Sequence, residues 1–95
     1  MQKTVMETST PSISERARVI IYSRPGCHLC EDAKQAIESA QCANEYTLEE
    51  IDIESDVGLL QRYRYDIPVI TINGEEAFRH KVTADEFRRR LAGAQ

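Results

Sequence analysis

Apolar positions along the chain change period several times, and each change marks an element. Arg18–Ser23 (RVIIYS) is short, β-branched and apolar at successive positions, as in a strand covered on both faces. Ser23-Arg24-Pro25-Gly26 has the composition of a turn. From Cys27 the spacing becomes helical. Leu29, Ala33, Ala36, Ile37 and Ala40 form the apolar stripe, and Glu31, Asp32, Lys34, Gln35 and Glu38 the polar face. Glu45–Ile53 alternates like a second strand, with Ile51 and Ile53 on one face and Leu48 on the other. Ser55–Arg64 predicts a short helix with apolar Val57, Leu60 and Tyr63 at three-residue steps, interrupted by Gly58.

The last third of the chain is punctuated more sharply. Pro68–Ile72 is a third strand with proline at its first position, where a missing N–H matters least. Asn73-Gly74 signals a tight hairpin, so Glu75–His80 returns antiparallel as a fourth strand. Thr83-Ala84-Asp85-Glu86 is a capping box, with Val82 and Phe87 placed as a hydrophobic staple, and Phe87 and Leu91 face inward. The order β-α-β-(α)-β-β-α predicts an α/β domain. A small four-stranded mixed sheet has helices on its faces, its first two strands parallel and its last two a hairpin.

With 95 residues the chain is short enough for one domain. Residues 1–16, rich in Thr and Ser, are expected to be a flexible tail, and residues 17–95 the domain. The longest apolar run, Val19–Tyr22, is far below the roughly 18 residues of a membrane helix, so no membrane partner is expected. A net charge of −4 and an isoelectric point near 5.1 argue against nucleic acid. No signal-peptide pattern opens the chain, and three cysteines are too few for a stapled secreted domain. A cytoplasmic location is therefore expected, and a monomer.

In that setting Cys27-His28-Leu29-Cys30 carries the chemistry. A cysteine at a helix N-terminus meets unsatisfied N–H groups and the positive dipole end, both of which favour thiolate. A free thiol of pKa about 8.5 is only a few per cent ionised at neutrality, and a drop of about 1.5 units, roughly 2 kcal/mol, brings it to half. Arg24 in the turn is placed to add positive charge, and His28 reads either as a residue that shifts that equilibrium or contacts substrate, or as a plain exposed histidine. Cys30, one turn on and on the same face, is placed to attack a mixed disulfide on Cys27. The other reading of the pair is half of a metal site, for which Cys42, His28 and His80 are the remaining candidate ligands. Cys42 otherwise reads as a small buried hydrophobe, Tyr63 as core, Tyr65 as partly exposed, and Arg88-Arg89-Arg90 as a solvated helix end.

The segments VIIYSRPGCHLC and EEIDIESDVGLLQRYRYDIPVITINGEE, with the closing amphipathic helix, resemble the glutaredoxin-like proteins of the thioredoxin superfamily over about residues 18–91. The resemblance implies a thioredoxin-like, glutaredoxin-type fold and thiol–disulfide oxidoreduction, with Cys27 the nucleophile and Cys30 the resolving thiol. It puts the family's cis-proline at Pro68, with the Ile67 backbone pairing with substrate, and a glutathione-contacting basic residue at Arg24. Thr83 and Asp85 fall where glutaredoxins hold the γ-glutamyl end of glutathione. Two departures stand out: His28-Leu29 occupies the usual proline–aromatic position, and His80-Lys81-Val82-Thr83 replaces a Gly-Gly pair. No bound cofactor or metal is implied. The expected partner is a disulfide-containing protein or glutathione, with glutathione also a candidate reductant. The competing expectation is a non-catalytic module whose cysteines bind zinc or an iron–sulfur cluster, or do not react.

Overall fold

The structure, a computed structural model, describes residues 16–94. The expected flexible tail therefore lies outside the described residues, apart from Arg16. The elements follow the predicted order: β1 (Ala17–Ser23), α1 (His28–Ser39), β2 (Tyr46–Asp52), α2 (Val57–Tyr63), β3 (Val69–Ile72), β4 (Glu75–Arg79) and α3 (Ala84–Ala94). Single 3₁₀ turns at Ala43–Glu45 and Ile53–Ser55 flank β2. The sheet order is β2-β1-β3-β4, with β1 parallel to β2 and antiparallel to β3, and β3 antiparallel to β4.

Alternation along the two central strands sorts the core into two clusters. Val19, Ile21, Ile70 and Ile72 pack with Ala33 and Ile37 of α1 and Phe87 and Leu91 of α3. Val69, on the opposite parity, packs with Ile53 and Tyr63, and with half-buried Tyr22, Leu59 and Leu60. One face of the sheet thus carries α1 and α3, and the other is covered by the shorter α2. The Tyr22 and Tyr63 rings stack with centroids 4.7 Å apart, and Tyr46 meets Phe87 edge-on at 5.3 Å.

Local signals behave as their chemistry dictates. Asn73 and Gly74 both take positive φ (52° and 86°), as a two-residue hairpin turn requires. In the capping box Thr83 Oγ1 accepts from the Glu86 N–H at 3.1 Å, and Glu86 Oε1 from the Thr83 N–H at 3.0 Å.

Three expectations need correction. Leu29 is not part of the inward stripe: it is 39% exposed, and Cys30, 1% exposed, takes the inward position with Ala33 and Ile37. The helix starts at His28, and this phase turns Leu29 about 100° away from Cys30. Val57, although at a three-residue step from Leu60, is 71% exposed, and Ile53 fills the core in its place. Ile53 leaves β2 because Asp52 Oδ1 accepts from the Glu54 N–H and turns the chain, while Asp56, through its bond to the Leu59 N–H, caps α2. Strand β4 stops at Arg79 rather than His80, whose φ of 73° ends the strand while its N–H donates to the Pro68 carbonyl at 2.8 Å.

Candidate functional site

The site begins where β1 ends. Gly26, at φ 79°, turns the chain after Ser23-Arg24-Pro25 and delivers Cys27 as the N-cap of α1. Cys27 Sγ accepts from the Cys30 N–H at 3.1 Å, and its carbonyl accepts from the Glu31 N–H at 3.2 Å. An N-cap sulfur that receives a backbone donor is stabilised as thiolate by that donor and by the dipole behind it. The two sulfurs are joined as a disulfide, with Cα atoms 5.2 Å apart. Cys27 is half-buried and Cys30 is buried, so an incoming group reaches Cys27 first.

A recess of about 240 Å³ at Cys27 is lined by Gly26, His28 and Glu31, with His28 exposed. On the other side of the motif, Leu29, Ala33, His80, Lys81, Val82 and Thr83 line a groove of about 290 Å³. Thr83 and Leu29 therefore line the same groove. Asp85 is not among the groove's lining residues; it is ion-paired with Arg88 at 2.8 Å. Arg24 is in the predicted turn, but its guanidinium bonds Glu54 at 2.6 Å, so its charge is shared.

The Ile67–Pro68 bond is cis, and Pro68 is fully buried. Because Tyr22 pairs with Val69, Pro68 and Ile67 lie at the end of the sheet from which β1 leads to Cys27. Among the described residues no backbone–backbone hydrogen bond outside the helices and strands engages Ile67.

The metal candidates do not converge. Cys42 is buried, its thiol donating to the Ala40 carbonyl at 3.3 Å. It follows the C-terminus of α1, a twelve-residue helix about 18 Å long, whereas Cys27 caps the other end. Among the described residues no group of His, Cys, Asp and Glu gathers as a metal site.

One feature had no clear sequence signal. Lys34 Nζ bonds Glu31 Oε2 at 2.9 Å and Glu50 Oε1 at 3.2 Å, and Ser23 Oγ donates to Glu50 Oε2 at 2.7 Å. The Glu31–Lys34 spacing is visible in the sequence, but Glu50 joins only because β2 sets it opposite Ile21. The Ser23 hydroxyl, seconded by Lys34, holds the Glu50 carboxyl below its usual range against the opposing effect of burial. Glu31 and then Glu50 hold the Lys34 ammonium above its usual value.

Comparison with known proteins agrees with this architecture. The model of the Glutaredoxin-like domain (DUF836) matches residues 18–92. A Dictyostelium discoideum protein called "Glutaredoxin-like protein YDR286C homolog" is 35% identical over 71 residues, 68% of this chain and 66% of that protein, slightly under two thirds of its length. The X-ray structure of protein XcR50 from X. campestris superposes with a TM-score of 0.71 at 27% identity, covering 81% of this chain and 99% of that one. Fasciola hepatica thioredoxin shares the fold alone: TM-score 0.58 at 17% identity, over 85% of this chain and 83% of that one. With a thioredoxin fold, a Cys27–Cys30 pair at the head of α1 and a family match across nearly the whole described chain, this protein belongs to the glutaredoxin-like family of the thioredoxin superfamily.

Proposed function

We propose that the protein is a thiol–disulfide oxidoreductase that reduces disulfides of proteins or of glutathione. The observation that carries this reading is the pairing of a reachable Cys27 with a buried Cys30 across the first turn of α1. In the reduced form, the Cys27 thiolate attacks one sulfur of the partner's disulfide. A Cys27–partner bond forms, and the other partner sulfur leaves as a thiolate that takes a proton. Cys30 then loses its proton and attacks Cys27 Sγ, closing the intramolecular disulfide and releasing the second partner thiol. Two electrons pass from the dithiol to the partner, and an external thiol such as glutathione returns them.

Ile67 and Pro68 frame an extended partner beside Cys27, in the manner of β-augmentation. His28, Arg24 and Thr83 stand around the motif as further contacts, and Asp85, tied to Arg88, is left out of this reading. A dithiol cycle needs no bound cofactor, and a reducing compartment such as the cytoplasm would keep the pair ready.

The test is intact mass after equilibration in graded glutathione redox buffers, with wild type and Cys30→Ser side by side. Wild type should cycle between dithiol and Cys27–Cys30 disulfide, Cys30→Ser should hold one glutathione on Cys27, and Cys27→Ser should do neither. Thiols that stay reduced and unmodified throughout would remove the enzyme reading and favour a binding module.

A further inference from the structure

The Cys27 recess has an acidic wall. Glu31 faces it together with Gly26 and His28, and Glu31 also lines a neighbouring recess of about 300 Å³ that Glu50 and Asp52 of β2 complete. A carboxylate free to approach Cys27 would oppose formation of a thiolate, since like charges disfavour each other. Lys34 stands one turn further along α1 and grips Glu31, while its second bond, to Glu50, ties that grip to the sheet. Glu50 is in turn held by the hydroxyl of buried Ser23, the last residue of β1 before the turn to Cys27.

We infer that Lys34 is a positioning residue for the dithiol: it holds the Glu31 carboxylate away from Cys27 and anchors it, through Glu50 and Ser23, to the end of β1. This rests on the oxidoreductase reading only for its biological purpose, because the effect on Cys27 is readable without any substrate.

The other charges around Cys27 are already committed or lie elsewhere. Arg24 is paired with Glu54, and Asp66, on the approach to β3, with Arg79. His28 is exposed at the recess mouth, Asp52 accepts from the Glu54 N–H, and Asp32, His80 and Lys81 line the groove on the Leu29 side. Glu31 is thus the carboxylate at the Cys27 recess that Lys34 holds.

The experiment measures the rate at which iodoacetamide alkylates Cys27 in the reduced full chain as a function of pH, by peptide mass. Lys34→Met should raise the midpoint by about half a unit to one unit, the size of an unscreened carboxylate a few ångströms from the thiolate in a solvent-exposed site. Glu31→Gln alone should leave the midpoint near wild type, the double variant with Lys34→Met and Glu31→Gln should lose the rise, and Lys34→Arg should restore the wild-type midpoint. A rise in Lys34→Met that Glu31→Gln cancels supports the assignment. No rise, or a rise that persists in the double variant, overturns it. If Lys34→Met fails to fold, Lys34→Gln is read in its place, alone and with Glu31→Gln, by the same two outcomes. Failure of the oxidoreductase reading would appear separately, as wild-type Cys27 that alkylates normally yet never exchanges with a disulfide.

Discussion

Thr71 shows at the scale of one residue what a buried strand demands. It sits in the middle of β3, 7% exposed, and its Oγ1 has no hydrogen-bond partner among the described residues. A buried hydroxyl without a partner forfeits its hydration, a cost of about 1–3 kcal/mol. Thr71→Val keeps the shape and removes that cost, so it should raise unfolding free energy by about 1 kcal/mol, measured as a higher urea midpoint. A lower midpoint would mean that the hydroxyl does find a partner. The same scale separates Leu29 from Cys30. Both are apolar enough for the core, and only the phase of α1 decides that Cys30 goes in and Leu29 stays out.

Among the elements, those built from nearest-neighbour chemistry could be read directly. The Asn73-Gly74 hairpin and the Thr83–Glu86 capping box need only residues a few positions apart. The ends of β2, α2 and β4 were harder, because competing local bonds or a partner strand set them. Strand β4 is the clearest case. Its predicted last residue, His80, instead adopts φ 73°, a conformation that costs a residue with a Cβ about 1–2 kcal/mol. His80→Gly should therefore stabilise the fold, by about 0.5–1 kcal/mol after the added flexibility of the unfolded chain is subtracted. Chemical denaturation checks this, and a loss of stability would show that the His80 side chain contributes contacts of its own.

For the whole molecule, the ion-pair chain joins α1 to the two strands beneath it. Glu50 has a carboxyl whose pKa is depressed in the folded state, chiefly by Ser23 and then by Lys34. A depressed carboxyl contributes stability above its unfolded pKa, and loses it as pH falls through the folded value. The difference in urea midpoint between wild type and Glu50→Gln should thus be present at neutral pH. It should shrink as the solution is acidified below the ordinary carboxylate value of 4.5. A gap that stays constant into strong acid would mean that Glu50 acts through packing and not charge. No helix among the described residues is long and apolar enough to cross a membrane, in keeping with the short apolar runs of the chain.

What this sequence determined by itself is the part governed by short-range physics. Apolar periodicity set the number and order of elements, the Asn-Gly and capping-box residues set two of the boundaries, and Cys27-His28-Leu29-Cys30 marked a cysteine pair at a strand-to-helix junction. Tertiary structure decided the rest. Pairing Ile21 with Glu50 brought β2 under α1 and completed the Ser23–Glu50–Lys34–Glu31 chain. Pairing Tyr22 with Val69 placed Pro68 at the Cys27 end of the sheet. Arg24 lost its freedom to Glu54, thirty positions away. Contacts between residues so distant in the chain depend on strand register and helix phase, which local residue preferences leave undetermined.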